Sequence, residues 1–189
     1  MLTNEAFRAA FAQALPYDAY LATGKPHHRD AWGRIDAAVS LTPAQRELLG
    51  AFIRPIRVLV LSGTWCGDCA QQCPILRHIA AASRAIDLRF VDRDVHRDLA
   101  EQVKICGGFR VPTVIFANED DDFLAILGDR TLSRYRALAA AQLGPSCPLP
   151  GAPVPPQELA ATTQDWIDEF ERVHLMVRLS PKLRERHGD

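Results

Sequence analysis

The chain has 189 residues, 48% of them hydrophobic, and a formal net charge of -1. That is enough to bury one core of domain size with length to spare, while the near-neutral balance offers no electrostatic footprint for nucleic acid. No apolar run approaches the roughly 20 residues needed to cross a bilayer, and Met1 to Arg8 lack the basic-then-apolar layout of a secretory signal, so a cytoplasmic protein without membrane or nucleic-acid partners is expected.

Glu5 to Leu15 reads as a helix, and Thr42-Pro43 ahead of Ala44-Gln45-Arg46-Glu47-Leu48-Leu49 reads as an N-cap followed by proline at the first helical position. Residues 1–55 are thus expected to form a helical N-terminal extension. Arg57 to Ser62 is a leucine-rich, β-branched run suited to a strand buried on both faces, and Gly63-Thr64-Trp65 turns it into a helix from Cys66 to Ser83. Asp87 to Val91 is the next strand. Leu99 to Val103 lies in a second helical segment, ended by Gly107-Gly108. Thr113 to Ala117 and Phe123 to Leu127 make two strands joined by an acidic turn, and a last helix from Leu132 to Leu143 stops at Gly144-Pro145. The order βαβαββα defines an α/β domain over residues 56–144. Residues 145–156 are too proline-rich for helix or central strand and read as a linker. Residues 157–189 hold a docking helix and tail, with Trp166, Ile167, Phe170, Val173, His174 and Val177 recurring at helical spacing as a stripe for the core.

The chemistry concentrates in Trp65-Cys66-Gly67-Asp68-Cys69, directly after Val58-Leu59-Val60-Leu61 and upstream of Val111-Pro112-Thr113. Two cysteines separated by two residues at a helix mouth can close a small-ring disulfide, and unpaired backbone N–H groups there favour a thiolate on the first sulfur. The motif reads as a thiol-disulfide exchange site with a nucleophile and an internal resolving thiol. The five cysteines, Cys66, Cys69, Cys73, Cys106 and Cys147, are too few and too unevenly spaced for a disulfide-stapled fold. A reducing compartment with a transient, catalytic disulfide fits them.

With Pro74 five residues after the second cysteine, Val111-Pro112-Thr113 in place of a cis-proline segment, and Gly128 after the last strand, residues 57–143 resemble the thioredoxin superfamily. The Cys-Gly-Asp-Cys centre and Gly128-Asp129-Arg130 resemble a bacterial thioredoxin-like subgroup more narrowly. The resemblance implies a thioredoxin-like fold and a protein-disulfide reductase. It makes Cys66 the attacking thiolate and Cys69 the resolving thiol that releases the reduced substrate. Trp65 and Gly67 would border the site, and Pro112, in the cis form, would hold Val111 beside the sulfurs with its backbone free to pair with an extended substrate. The expected partners are disulfide-containing proteins and a thioredoxin-reductase-type electron donor; no cofactor beyond the redox-active Cys66/Cys69 pair and no metal are needed.

Two departures from that pattern matter. Asp68 replaces a proline and is expected to oppose thiolate formation at Cys66 by like-charge repulsion. Val60 stands where thioredoxins carry a buried aspartate, so proton transfer at Cys69 needs Asp68, water, or less directly Asp92 or Asp94, unless these carboxylates are only solvated. Cys73, on the same helical stripe as Cys66 and Cys69, is either a small buried residue or an accessory resolving or sensing thiol. Cys106 is either packed at a helix end or near the site, Cys147 lies in the linker, and His27-His28 fall in a polar loop apart from any ligand set. Arg93 and Arg110 flank the site segments. The competing readings are a redox-sensing thioredoxin-fold binding module without turnover and a metal-thiolate protein using Cys66, Cys69 and Cys73.

Overall fold

A computed structural model describes residues 2–143 and 157–188; the proline-rich stretch read as a linker, with Cys147, lies outside them. The polypeptide builds its sheet from β1 (Ile56–Ser62), β2 (Ile86–Asp92), β3 (Thr113–Asn118) and β4 (Phe123–Gly128), in the spatial order β2-β1-β3-β4. β1 runs parallel to β2 and antiparallel to β3, and β3 pairs antiparallel with β4. Val58, Leu59 and Val60 are fully buried, as expected of a continuous apolar run in a central strand covered on both faces.

The helices of this core are α5 (Gly67–Ala81) after β1, α6 (Arg97–Gln102) after β2, and α7 (Leu132–Leu143) after β4. This is the βαβαββα order read from the sequence. α6 stops at Gln102, before Gly107-Gly108, which instead form a tight turn in which Cys106 and Gly107 both take positive φ. Cys106 is therefore exposed in a turn, not packed at a helix end.

The N-terminal extension is richer than its sequence suggested. α1 (Asn4–Gln13) is capped by Thr3, whose hydroxyl accepts from the Ala6 N–H at 3.1 Å, and α4 (Pro43–Gly50) carries a full capping box between Thr42 and Gln45. Between them lie α2 (Tyr17–Ala22) and α3 (Pro26–Ala38), neither foreseen. His27 and His28 thus sit in the first turn of α3, not in a loop. Tyr17, Tyr20, Trp32 and Phe90 form a buried aromatic cluster with centroids 5.5–6.1 Å apart, which fastens α2 and α3 to β2. Leu15 closes the outer edge of β2 by exchanging two backbone hydrogen bonds with Phe90 at 2.9 and 2.8 Å.

After residue 156 the chain forms α8 (Glu158–Leu179) and a short, unforeseen α9 (Pro181–His187). The whole α8 stripe is buried, and Phe170 meets Phe116 of β3 edge-on at 5.1 Å. α8 also packs against α4, α5, α7 and β4, so the two extensions meet over the core. Among the described residues, no helix is long and apolar enough to cross a membrane.

Candidate active site

The end of β1 and the start of α5 define the site. Cys66 is the N-cap of α5 in extended conformation, and its Sγ accepts the Cys69 N–H at 3.5 Å, so the first cysteine occupies the place where an oxygen-bearing cap usually stands. Its thiol reaches the Val111 carbonyl, also at 3.5 Å. The Val111–Pro112 peptide bond is cis. Gly128 lets the end of β4 lie close against this segment, because a Cβ there would lie 2.7 Å from the Pro112 carbonyl oxygen. The Val111 carbonyl is thus occupied by the thiol, where the sequence led us to expect free backbone.

Cys66 is half-buried, whereas Cys69 and Cys73 are completely buried behind it. Trp65 lies across Gly63, where any Cβ would meet the indole at 2.7 Å, and the Arg93 guanidinium stacks 4.5 Å over its ring. A cleft of about 490 Å³ runs beside Trp65, bordered by Leu15, Tyr20, Phe90, Val95 and His96. The N-terminal extension reaches this loop directly: Trp32 Nε1 donates to the Thr64 carbonyl at 3.0 Å, and His28 Nδ1 lies 3.4 Å from the Thr64 hydroxyl.

Asp68 does not act as expected. Its carboxylate is gripped by Arg130 through two hydrogen bonds of 2.6 and 3.0 Å and by Arg134 at 2.9 Å, so its charge is neutralised and its oxygens are occupied. Repulsion of a Cys66 thiolate is thereby offset, and Asp68 is no ready base for Cys69. Asp94 is bound by Arg93 and Arg97, and Asp92 accepts the Asp94 N–H. The arginine grip extends outward. Arg134 pairs with Glu158 of α8, and Arg130 with Asp129, which also takes Arg110 and the Tyr135 hydroxyl. Burial would raise Asp129, but the Tyr135 and arginine contacts outweigh it and hold the carboxyl below its ordinary range. The Gly128–Asp129 peptide is also cis, and the Asp129 carbonyl accepts from Gln72 at 2.8 Å. Gln72 in turn accepts from Trp166 of α8 at 3.2 Å, fully buried.

The two thiols resist ionising together. The hydrogen bond with Cys69 and burial push the Cys66 thiol up, against the pull of the Cys69 and Asp68 backbone N–H groups. Burial pushes the Cys69 thiol up as well. Cys66, nearer solvent and at the helix end, is where attack on an outside disulfide is sterically open. Among the described residues, no cluster of three or more His, Cys, Asp or Glu is arranged to hold a metal ion.

Sequence reasoning had named Cys66, Cys69, Asp68, Trp65, Gly67, Val111 and Pro112, and all converge at this end of the sheet. Arg130, Arg134, Gln72, Ser62 and Tyr20 were missed as site residues. The Gly128-Asp129-Arg130 motif is the sequence signal that points toward Arg130.

A family model for thioredoxin matches residues 14–138. The protein belongs to the thioredoxin family, to which thiol redox chemistry in general attaches. In overall shape it is similar to a protein of unknown function from Pseudomonas aeruginosa, with 20% identity, a TM-score of 0.61, and coverage of 92% of this chain and 93% of that one. It is also similar to an HIV epitope scaffold at 19% identity and a TM-score of 0.60, covering 88% and 92% of the two chains. At such identities these likenesses bear on the fold alone. No curated protein matches the sequence.

Proposed function

We propose that the protein is a cytoplasmic thiol-disulfide oxidoreductase that reduces protein disulfides through Cys66 and Cys69. The observation that carries this reading is the pairing of a half-exposed Cys66 sulfur at a helix N-cap, against the cis-proline segment, with a fully buried Cys69 one turn behind. Cys66 attacks the substrate disulfide, forming a mixed disulfide and expelling one substrate thiolate. Cys69 then attacks the Cys66 sulfur, closing the Cys66–Cys69 disulfide and expelling the second. Two electrons pass to the substrate, and a thioredoxin-reductase-type donor returns them with two protons. On ionisation Cys66 ceases to donate to Val111, and that carbonyl becomes free to take an N–H from an extended substrate strand, with the Trp65 cleft as its floor.

The test is dithiol-driven reduction of a disulfide-bonded protein. Cys66→Ser is expected to abolish turnover, and Cys69→Ser to accumulate a covalent mixed disulfide visible by mass spectrometry. Full turnover in Cys66→Ser would refute the proposal and favour a partner-binding role for the fold.

A further inference from the structure

Cys69 must ionise to resolve the mixed disulfide, yet it lies completely buried, where an unsolvated thiolate is costly. The groups that act on it are Cys66, Cys73 and Ser62. Val60 on β1 is apolar, and Asp68 is taken up by Arg130 and Arg134. Ser62, the last residue of β1, is fully buried, and its Oγ lies 3.7 Å from the Cys73 Sγ, one turn beyond Cys69. Above it sits Tyr20 of α2, 2% exposed. The Tyr20 hydroxyl is sealed from solvent and lacks a well-formed hydrogen bond, with Ser62 the hydroxyl placed to supply one and Cys69, Cys73 and, on β2, Asp92 nearby. A buried hydroxyl without a partner is a cost that folded proteins seldom retain.

Resting on the exchange reading above, we infer that Ser62 and Tyr20 form a hydroxyl relay that stabilises the Cys69 thiolate during resolution. The Cys73 thiol or the Tyr20 hydroxyl donates to Ser62 Oγ, which turns the Ser62 O–H onto the Cys69 sulfur as it becomes negative. In this step the Cys69–Cys66 sulfur bond forms, the bond from Cys66 to the substrate sulfur breaks, and the proton released by Cys69 passes to solvent or, where the leaving thiolate is basic enough, to that thiolate. The relay supplies hydrogen bonds and takes no net proton. Tyr20 is a positioning residue acting through Ser62, and it gives the N-terminal extension a role in the chemistry. The Cys73 thiol, four residues after Cys69, becomes part of the relay instead of a third redox centre.

The experiment follows reaction with a small aromatic disulfide whose released thiolate is coloured, in full-length protein carrying Cys106→Ser and Cys147→Ser. Attack by Cys66 releases a first equivalent, and resolution by Cys69 a second. Ser62→Ala is expected to slow the second phase about tenfold and move its pH midpoint upward, leaving the first phase unchanged, since a hydrogen bond to a charged group is worth about that factor. Tyr20→Phe, which removes a single oxygen, is expected to slow it about threefold with the same direction of pH shift, and carries the test alone if Ser62→Ala does not fold. An unchanged second phase and pH midpoint in the variants overturns the relay, as does equal slowing of both phases without a pH shift. Failure of the parent protein to release the first equivalent overturns the exchange reading, and the relay with it.

Discussion

The two ends of the central sheet both bind carboxylates with arginines, and they do it to different ends. Far from the cysteines, the turn after β3 presents Glu119, Asp120, Asp121 and Asp122 to Arg8 and Asn4 of α1, Arg54 and Arg57 before and within β1, and Lys182 and Arg186 of α9. Several of those cations stay in water, with the Arg8 and Lys182 side chains 63% and 64% exposed. At the dithiol end the partners are enclosed: Arg134 and Asp68 side chains are 11% and 17% exposed. The acidic turn gathers both extensions onto the sheet through largely screened outer contacts around one enclosed pair, Arg54 with Glu119. The site cluster fixes the charge next to Cys66 and ties it, through Glu158 and the Gln72–Trp166 bond, to α8. The residue types are alike, and nearness to the sulfurs decides which set shapes the chemistry.

The sharpest way to break this contrast is Arg134→Ala. It leaves Asp68 and Glu158 short of a partner in a partly enclosed site, and a loss of about 3 kcal/mol of unfolding free energy is expected from urea titration, as for other buried pairs deprived of one member. An effect below that of a surface pair would show that the enclosure does not matter.

Asp68→Asn works in the opposite direction on the sulfur. It leaves Arg130 and Arg134 with an uncompensated positive charge beside Cys66, so the thiol is expected to ionise about one pH unit lower than in the parent, read from the pH dependence of its alkylation. A shift upward would mean that Asp68 serves the thiolate by some other route.

Between the two ends, His174 anchors α8 by accepting the Ile53 N–H at 3.2 Å while stacked on Phe52 at 4.2 Å. Burial, with a smaller push from Arg178, lowers its affinity for a proton below that of an ordinary histidine. The unfolded chain then binds the proton more readily, so stability is fully present above the ordinary histidine range near about 6.5 and declines as pH falls through it. Thermal melts at pH 7.5 and 5.5 (chosen about one unit either side of that value) should show the decline, and His174→Gln should flatten it.

The smallest effect is expected at the acidic turn. Arg8→Ala should lower the urea midpoint only slightly and lose even that effect in high salt, whereas a large, salt-resistant loss would erase the distinction between the two clusters.

How far the sequence revealed this depended on range. The strands of the core and the α8 stripe were legible because Val58 to Leu61 and Trp166 to Val177 repeat with their own local period. α2 and α3 were hidden because α2 is six residues long and α3 opens with Pro26-His27-His28-Arg29-Asp30, masking the apolar turn that brings Trp32 inside. The dithiol was visible as a motif, but its electrostatics were not. Asp68 is silenced by residues 62 and 66 positions away, and Tyr20 lies in a helix that the pattern did not announce.

The most direct test of the account is a redox titration of the Cys66–Cys69 pair in defined thiol buffers, read by Trp65 fluorescence with mass spectrometry locating the bridge. A reductase predicts a single Cys66–Cys69 disulfide with a midpoint near about -270 mV, at the reducing end of the thiol oxidoreductase range. A midpoint between about -180 and -120 mV, or no bridge between these two sulfurs at any potential, would contradict it.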